Sequence, residues 1–491
     1  MKSSGILMHI SSLPSPGGIG SLGQEAYDFA DFLQASGMRI WQVLPIGPTG
    51  YGESPYQSSS VFAGNPLLIS CERLRQEGLL SFDDGEACHP EREDQVPFDA
   101  VRESKDRLLR KCFAQSRENL QPQVDLFVKE NPWVRDFALF TAVKARFGGV
   151  MWTQWPDAEI RFRKPEAVKR YENELREEIA YHIFCQFLFR RQWFALKKYC
   201  NQKGIRLFGD MPIYVAEDSA DTWTHPEIFQ LDRNRIPRRV AGVPPDYFSE
   251  DGQLWGNPLY RWTYLRFCRK FDWWVARMKG MASLYDMVRI DHFIGFANYY
   301  SVAHGAPNAR KGKWVIGPGK ALFRRLQAEV PEIQIIAEDL GAVNKRVRRL
   351  LDWCGYPGMK ILTFGFDSDK ENIHFIGNYT ANYVAYTGTH DNDTTLGWAE
   401  KASPEALKFA MDTLGFHSVQ EAPEAFVRAL FASPCDTVIV PMQDILGLGG
   451  EARMNFPGTI GGNWGWRMKD GELTQALSMK LYILNRKNGR L

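Results

Sequence analysis

Eight short apolar segments recur along the chain, and polar residues follow each of them. They span residues 5–10, 40–45, 205–210, 287–291, 333–338, 359–364, 383–390 and 437–441. Continuous apolar runs bounded by turn residues are typical of parallel strands that are covered on both faces. The pattern therefore predicts eight buried parallel strands.

Helical patterns alternate with these segments. Apolar residues recur at helical spacing over 24–36, 320–329 and 345–353. Alternation of eight strands with helices favours an α/β fold, a (β/α)₈ barrel, over an open doubly wound sheet. No Gly-x-Gly-x-x-Gly sequence opens a helix after the first strand, which weakens a dinucleotide-binding alternative.

Two gaps between the predicted strands are much longer than the ~30 residues of a plain strand–helix unit. We predict a mainly helical insertion over about 70–200, with helices over 105–117, 134–147 and 164–200, and an aromatic-rich insertion over about 216–285. One catalytic barrel over residues 1–491 is expected to include both insertions. No separate C-terminal β-domain is expected.

Composition and charge argue against several classes of function. The chain is 44% hydrophobic and 24% charged, with a formal net charge of +2, so neither a nucleic acid nor another polyanion is an expected partner. No segment approaches the ~18 apolar residues that cross a bilayer. The apolar run at 6–10 is too short and polar for a signal sequence. Eight dispersed cysteines without a Cys-x-x-Cys pair indicate reduced thiols, and a cytoplasmic protein is expected.

Carboxylates stand at the ends of four predicted strands. Asp210, Asp291, Glu338 and Asp391 end or follow the third, fourth, fifth and seventh segments. Active sites of such barrels lie at the carboxyl ends of the strands. One strand-end carboxylate is often only a helix N-cap, but four on one rim predict a catalytic site.

Two of these carboxylates differ in their sequence surroundings. Arg289 and Asp291 share one side of a strand, so the guanidinium is expected to keep Asp291 ionised, although a purely structural ion pair would give the same pattern. Glu338 follows apolar residues, and the resulting dehydration should raise its pKa. One ionised and one protonated carboxyl are what glycosidic cleavage requires, and neighbouring strands make the ~5–5.5 Å separation of a retaining pair plausible. Asp391 could stabilise an oxocarbenium-like transition state.

Several segments resemble the signatures of the 4-α-glucanotransferases, also called amylomaltases, which are family 77 of the glycoside hydrolases and distant kin of α-amylases. The catalytic motifs are 289–296, 336–341 and 387–393, and further similar segments are 5–14, 54–58, 209–213, 246–258 and 461–467. The resemblance covers essentially the whole chain in order.

The resemblance implies a double displacement that moves a segment of an α-1,4-glucan to the 4-hydroxyl of glucose or a maltooligosaccharide, without a cofactor or metal. It makes Asp291 the nucleophile, Glu338 the general acid/base and Asp391 the transition-state stabiliser. The substrate contacts that it implies are Ser54, Tyr56, Asp210, Glu250, Gln253, Trp255, Arg289, His292, His390 and Asn463. The glycine- and aromatic-rich stretch 244–258 is the candidate lid over the acceptor side.

Other interpretations remain open at this stage. An α-amylase-like hydrolase would form the same covalent intermediate and release it to water. A metal-dependent barrel hydrolase could use His9, His390, Asp210 and Asp391, although no His-x-His or His-x-x-x-His pair is present. A catalytically inactive glucan-binding protein would not need all three carboxylates.

Overall fold

The computed structural model describes residues 2–84, 88, 90–245, 250–341 and 343–491. In chain order the strands are β1 (Ser3–Leu7), β2 (Ile40–Gln42), β3 (Arg206–Met211), β4 (Arg239–Val243), β5 (Gln253–Pro258), β6 (Met287–Ile290), β7 (Asn298–Ala303), β8 (Gly312–Ile316), β9 (Gln334–Ala337), β10 (Gly358–Ile361), β11 (Tyr383–Tyr386) and β12 (Thr437–Pro441).

The helices flank and connect these strands. They are α1 (Gln24–Ala35), α2 (Cys71–Gln76), α3 (Phe98–Glu130), α4 (Trp133–Arg146), α5 (Ala158–Arg161), α6 (Pro165–Glu174), α7 (Arg176–Gln202), α8 (Ala220–Thr224), α9 (Trp262–Phe267), α10 (Asp272–Leu284), α11 (Ile294–Ala297), α12 (Lys320–Glu329), α13 (Lys345–Cys354), α14 (Thr395–Lys401), α15 (Pro404–Leu414), α16 (Ala422–Ala432), α17 (Met442–Leu446) and α18 (Gln475–Lys487).

In the described part of the chain, eight parallel strands form one sheet in the order β10-β11-β12-β1-β2-β3-β6-β9. The amide of Ala337, at the end of β9, donates to the carbonyl of Pro357, just before β10, at 2.9 Å. This hydrogen bond brings the two outer strands together, so the sheet is a nearly closed barrel. Each predicted apolar segment overlaps one of these strands, and the predicted (β/α)₈ fold is confirmed.

The burial of the strands explains why their sequence pattern was clear. Every residue of β1, β2, β6, β10 and β12 is buried. A strand that is covered by side chains inside the barrel and by helices outside has no polar face, so its sequence does not alternate. The three predicted helices between strands are also present, as α1, α12 and α13.

The connection between β2 and β3 contains helices α2 to α7. The stretch 164–200, which the sequence predicted as one run, forms two helices because the backbone breaks at Leu175, with φ −108° and ψ 22°. A second hydrophobic core lies here, built around Phe140, Trp152 and Trp155 together with Trp223 of α8. The aromatic side chains of this region therefore form the interior of this second core.

A four-stranded antiparallel sheet, in the order β5-β4-β7-β8, was not predicted from the sequence. It combines the connection between β3 and β6 with the one between β6 and β9. Its strands are only partly buried, and β8 has exposed residues at Trp314 and Ile316. Short strands of mixed exposure lack the apolar run that identified the barrel strands.

The chain after β12 is helical and irregular. Residues 442–491, all of which are described, contain α17 and α18 and no further strand. Residues 442–491 therefore form no β-domain, as the sequence analysis expected for this segment. Among the helices of the described residues, none combines the length and apolar character that a bilayer span requires.

Arg490, after α18, fastens the end of the chain to the amino-terminal side of the barrel. Its fully buried guanidinium donates to the carbonyl oxygens of Phe431 (2.7 Å), Ser433 (2.8 Å), Cys435 (3.1 Å) and Ser3 (3.2 Å). Four carbonyl groups near the starts of β1 and β12 thus accept from one side chain, and Lys2 Nζ is a second donor to the Ser433 carbonyl at 2.9 Å.

We expect Arg490→Met to lower the free energy of unfolding by about 3 kcal/mol or more, because it leaves several buried carbonyl groups without a donor. Scanning calorimetry should show a lower Tm. The matched control is Arg486→Met, which changes an exposed arginine of α18. Equal Tm values for the two variants would contradict this account of Arg490.

Candidate active site

The carboxyl ends of β3, β6, β9 and β11 bring the predicted carboxylates to one rim of the barrel. Asp210 lies within β3, where its register partner on β6 is Arg289. Asp291 follows β6 directly and Glu338 follows β9, and these two strands pair in parallel. Backbone hydrogen bonds continue past the strand ends, since the Asp291 amide donates to the Met211 carbonyl (3.0 Å) and the Glu338 amide to the Ile290 carbonyl (3.1 Å).

Arg289 is the centre of a buried network on this rim. Its Nε donates to Asp210 Oδ2 at 2.9 Å, and its Nη2 lies 2.8 Å from both Asp210 Oδ2 and Asp291 Oδ1. The Tyr56 hydroxyl donates to Asp210 Oδ2 at 2.7 Å and also accepts from Arg289 Nη2 at 3.2 Å. One guanidinium therefore orients two carboxylates and a tyrosine.

Asp291 is more exposed than the Arg289 side chain that it contacts, with 30% of its side chain accessible against 5% for Arg289. Burial raises the pKa of Asp291 to about 7, and the nearby Asp210 and Asp391 add to the rise. Arg289 opposes these effects but does not cancel them. The sequence-based expectation was that the Arg289 guanidinium keeps Asp291 ionised; the contact is present, but burial and the neighbouring carboxylates outweigh its effect on the pKa.

Glu338 is buried, with 7% of the residue exposed. Its Oε2 accepts the His292 amide at 2.7 Å and its Oε1 accepts the Leu340 amide at 2.8 Å. Burial, followed by the charge of Asp291, raises the pKa of Glu338 to about 8. The dehydration expected from the apolar residues before Glu338 is present. Burial and the charge of Asp291 therefore favour the protonated form of Glu338.

His292 connects this pair to the second predicted insertion. Its backbone has a positive φ of 49°, which is rare for residues other than glycine. The Trp255 ring meets the His292 ring edge-on, with centroids 4.8 Å apart. Burial lowers the pKa of His292 to about 4, so the imidazole is neutral at pH 7, and its buried Nε2 has no hydrogen-bond partner among the residues that the structure describes.

A second set of aromatic side chains, Tyr56, His390 and Trp464, packs near these carboxylates. Tyr56 stacks on His390 with centroids 5.0 Å apart and ring planes 15° apart, and Trp464 lies 5.8 Å from both rings. Burial lowers the pKa of His390. Trp464 was not predicted as a site residue. Trp464 belongs to the segment 461–467, which is similar to a signature of the family, but nothing in the sequence distinguishes it from neighbouring Asn463.

Asp391 contacts residues from the loop after β12. Asn455 Nδ2 donates to Asp391 Oδ1 at 2.7 Å, and Arg453 Nη2 donates to the Asp391 backbone carbonyl at 2.6 Å. His390 Nε2 lies 3.4 Å from Asp391 Oδ1. Sequence analysis missed Arg453 and Asn455. Their position after the eighth strand was the available signal, since loops at that end of a barrel form its active site.

The remaining predicted residues divide into two groups. Ser54 and Gln253 make local hydrogen bonds to predicted contacts, since Ser54 Oγ accepts the Tyr56 amide (3.3 Å) and Gln253 Oε1 accepts Trp255 Nε1 (3.1 Å). The contacts described for Glu250 and Asn463 do not include the carboxylates. The side chain of Glu250 is 97% exposed and lies 3.9 Å from Arg310. The Asn463 amide bonds within its own loop, to Phe456 and Thr459.

Part of the candidate lid, residues 246–249, lies outside the described residues. Among the residues that are described, no group of three histidine, cysteine, aspartate or glutamate side chains could hold a metal ion. Of the four residues considered for a metal site, Asp210 is bound to Arg289 and Tyr56. His9 is half-buried, and the loss of solvent around its imidazole lowers its pKa to about 3.

Residues 8–474 match the model of a protein family described as 4-alpha-glucanotransferase. The chain belongs to this family. It is 44% identical to the 4-alpha-glucanotransferase of Thermus thermophilus, over 99% of both chains. It is 43% identical to that of Clostridium butyricum, over 98% of this chain and 100% of the relative. This chain is therefore a 4-alpha-glucanotransferase, and the α-amylase-like alternative is not favoured.

Two solved amylomaltase structures have the same fold as this chain. The amylomaltase of Streptococcus agalactiae in complex with acarbose is 41% identical, covers 100% of both chains and superposes with a TM-score of 0.97. The amylomaltase of Corynebacterium glutamicum shares the fold with a TM-score of 0.77 at 19% identity, over 100% of this chain and 75% of that one. The long connections between barrel strands are thus part of the fold of the family.

The raised pKa of Glu338 makes a prediction about stability. Between its ordinary value of 4.5 and about 8, the folded protein retains a proton that the unfolded chain has lost, so the stability of the folded state decreases as the pH rises. The decrease from this group is at most about 1.4 kcal/mol per pH unit. We expect Glu338→Gln to weaken this dependence.

The measurement compares Tm at pH 5 and pH 8.5 for both proteins at one scan rate. The Tm of Glu338→Gln minus that of the wild type should be larger at the higher pH, whatever constant offset the substitution itself causes. A difference that does not change with pH would show that Glu338 titrates normally.

Proposed function

We propose that this 4-alpha-glucanotransferase transfers a segment of an α-1,4-glucan to the 4-hydroxyl of glucose or a maltooligosaccharide by a retaining double displacement. The observation that supports it best is the pair on the neighbouring strands β6 and β9. Asp291 contacts the Arg289 guanidinium, and Glu338 is buried with its pKa raised to about 8. A carboxylate that can attack and a carboxyl that can donate a proton are the two groups that this reaction needs.

In the first step, an oxygen of Asp291 attacks the anomeric carbon of the donor. The bond from this carbon to the glycosidic oxygen breaks, and the proton of Glu338 moves to the leaving oxygen. The products are a glucan ester on Asp291, an ionised Glu338 and a shortened glucan with a free 4-hydroxyl. Arg289, through its contact with Asp291 Oδ1, stabilises the carboxylate before attack and orients it.

In the second step, the 4-hydroxyl of an acceptor replaces the leaving glucan. Glu338 takes the hydroxyl proton, the acceptor oxygen attacks the anomeric carbon, and the bond to Asp291 breaks. The configuration of the anomeric carbon is inverted twice and so retained. The separation of ~5–5.5 Å expected for the two carboxyls stays a prediction.

The proposed substrate contacts surround this pair. Asp391 would stabilise the positive charge that develops on the sugar ring. Tyr56 and His390 form a neutral stacked pair that could pack against an apolar sugar face, since aromatic rings bury such surface well. Trp255, which leans on His292, is proposed for the acceptor side. Arg289 and Asp210 would bind sugar hydroxyls as well as each other.

For the other predicted residues, the contacts in the structure support a more indirect role in substrate binding. Ser54 and Gln253 would support Tyr56 and Trp255 through the hydrogen bonds described above. For Glu250, a sugar contact requires the lid over 244–258 to bring it to the acceptor. For Asn463, it requires the amide to exchange its bonds within the loop for bonds to sugar.

We propose further that residues 1–491 are one catalytic unit, with insertions over about 70–200 and 216–285. Its expected donors are maltodextrins and amylose, without a nucleic-acid or membrane partner. Acarbose in the structure of the S. agalactiae relative supports an oligosaccharide site in the family. The proposed location is the cytoplasm, which the eight free cysteines support.

Incubation with maltotriose tests the transfer reaction. Transfer yields glucose together with a ladder of longer maltodextrins, whereas hydrolysis increases the reducing ends without longer products. We expect Asp291→Asn and Glu338→Gln each to lower turnover by ~10³-fold or more, because each removes a group that forms or breaks a bond, while maltodextrin binding persists.

The matched control is Asp286→Asn. Asp286 precedes the same strand, β6, at the opposite end of the barrel, where its Oδ2 accepts the Leu207 amide at 2.8 Å. Its substitution should leave the product ladder and the turnover per folded molecule unchanged. Near wild-type transfer by Asp291→Asn or Glu338→Gln would refute the assigned roles.

The pH dependence of kcat/KM should be bell-shaped. The active form has one proton on the pair, held on Glu338, so activity should fall above about pH 8 as Glu338 ionises, and below about pH 7 as Asp291 takes up a proton. With an α-glycosyl fluoride donor, whose leaving group needs no proton, formation of the glucan ester should keep the acid limb and lose the alkaline one. An alkaline limb that persists with this donor would assign it to another group.

A further inference from the structure

The loop after β12 contacts the loop after the neighbouring strand β11, which contains Asp391. Arg453 joins the two loops, since its Nη2 donates to the Asp391 carbonyl (2.6 Å) and its Nε to the Asn455 carbonyl (2.8 Å). Its guanidinium also lies over the Phe456 ring, 4.0 Å from the centroid. The Arg453 side chain therefore fixes the two loops relative to each other by donating to backbone carbonyl groups.

Asn455 is the one of these residues that contacts the carboxylate itself. Its Nδ2 donates to Asp391 Oδ1 at 2.7 Å. The Asp391 side chain is 45% exposed, and Oδ1 is also the oxygen nearest to His390 Nε2. Oδ2 accepts no hydrogen bond from the residues that the structure describes. One oxygen is thus held by the protein, and the other is left for a ligand.

Three further hydrogen bonds hold Asn455 and Asp391 in place. Asn463 Oδ1 accepts the Phe456 amide at 3.0 Å, which braces the loop just after Asn455. On the side of Asp391, the buried carboxylate of Asp444 accepts from the Thr387 hydroxyl (2.5 Å) and from the Thr395 amide (2.7 Å). These contacts fix both ends of the segment 387–395. All the supports belong to the chain after β12.

We propose that Asn455 is a positioning residue of the transfer reaction, which fixes the rotation of the Asp391 carboxylate so that Oδ2 meets the sugar in the transition state. The inference rests on the role proposed above for Asp391. An exposed carboxylate rotates freely, and one hydrogen bond from a fixed donor removes this freedom before the substrate arrives. The loop that supports Asn455 keeps the donor fixed.

The test uses Asn455→Ala and the initial rate of transfer from maltotriose. A lost hydrogen bond to a charged group predicts a decrease in kcat of about 10- to 100-fold, with KM changed less than about threefold. Asn455→Gln, which keeps a carboxamide donor, should recover part of the rate. The matched control is Asn372→Ala, because Asn372 also donates to an aspartate, Asp367 Oδ2 at 2.8 Å, in the loop after β10.

The decisive comparison is made in the Asp391→Ala background, with an α-glycosyl fluoride donor to keep the rates measurable. If Asn455 acts through Asp391, Asn455→Ala should change the rate of Asp391→Ala by less than about twofold. An equal loss in both backgrounds, with a lower Tm, would show a merely structural role and overturn the inference.

The outcomes also separate the two proposals. Asp391→Ala with near wild-type turnover would refute the role of Asp391 itself. A large loss in Asp391→Ala together with wild-type rates in Asn455→Ala would refute only the positioning role. Turnover lost equally in Asn372→Ala and Asn455→Ala would also overturn it, since the effect would then not depend on Asp391.

Discussion

The guanidinium of Arg289 is the constraint on which the active site depends. It lies inside the barrel mouth, almost fully buried, and contacts Asp210, Asp291 and the Tyr56 hydroxyl. A buried cation needs anionic partners, and buried carboxylates need a cation, so none of these groups is stable at this place without the others. The barrel makes the arrangement possible because register pairs Asp210 with Arg289 on adjacent strands.

Electrostatic surroundings give the neighbouring carboxyls different chemistry. Asp291 is partly exposed and touches Arg289, whereas Glu338 is buried and accepts the backbone amides of His292 and Leu340. Burial raises the pKa of both groups, and Arg289 opposes the rise in both, most directly at Asp291, to which it donates a hydrogen bond. The same two residue types could exchange roles in a different setting, so the assignment follows from what surrounds each carboxyl.

The barrel and its catalytic rim were predictable from the sequence, because doubly covered strands leave apolar runs and the residues that follow them are the rim. The antiparallel sheet was not, since β5 and β8 have mixed exposure and no apolar run. Asn455 and Arg453 were missed because they act through Asp391, and a contact between two loops far apart in sequence leaves no local pattern. The expected ionisation of Asp291 was incomplete, because neighbours in sequence do not reveal how deeply a carboxyl is buried.

The antiparallel sheet also has a consequence for how the family can change. β5 contains Trp255 and pairs with β4, while β4 pairs with β7, which begins shortly after Asp291 and His292. Trp255, which is proposed for the acceptor side, and the loop of Asp291 are therefore connected through one hydrogen-bonded sheet. If residues 244–258 were exchanged between relatives, β5 would be replaced, but β4, with which it pairs, would remain that of the original chain. A chimera that preserves the pairing of β5, β4, β7 and β8 must therefore take residues 239–258 and 298–316 from the same relative.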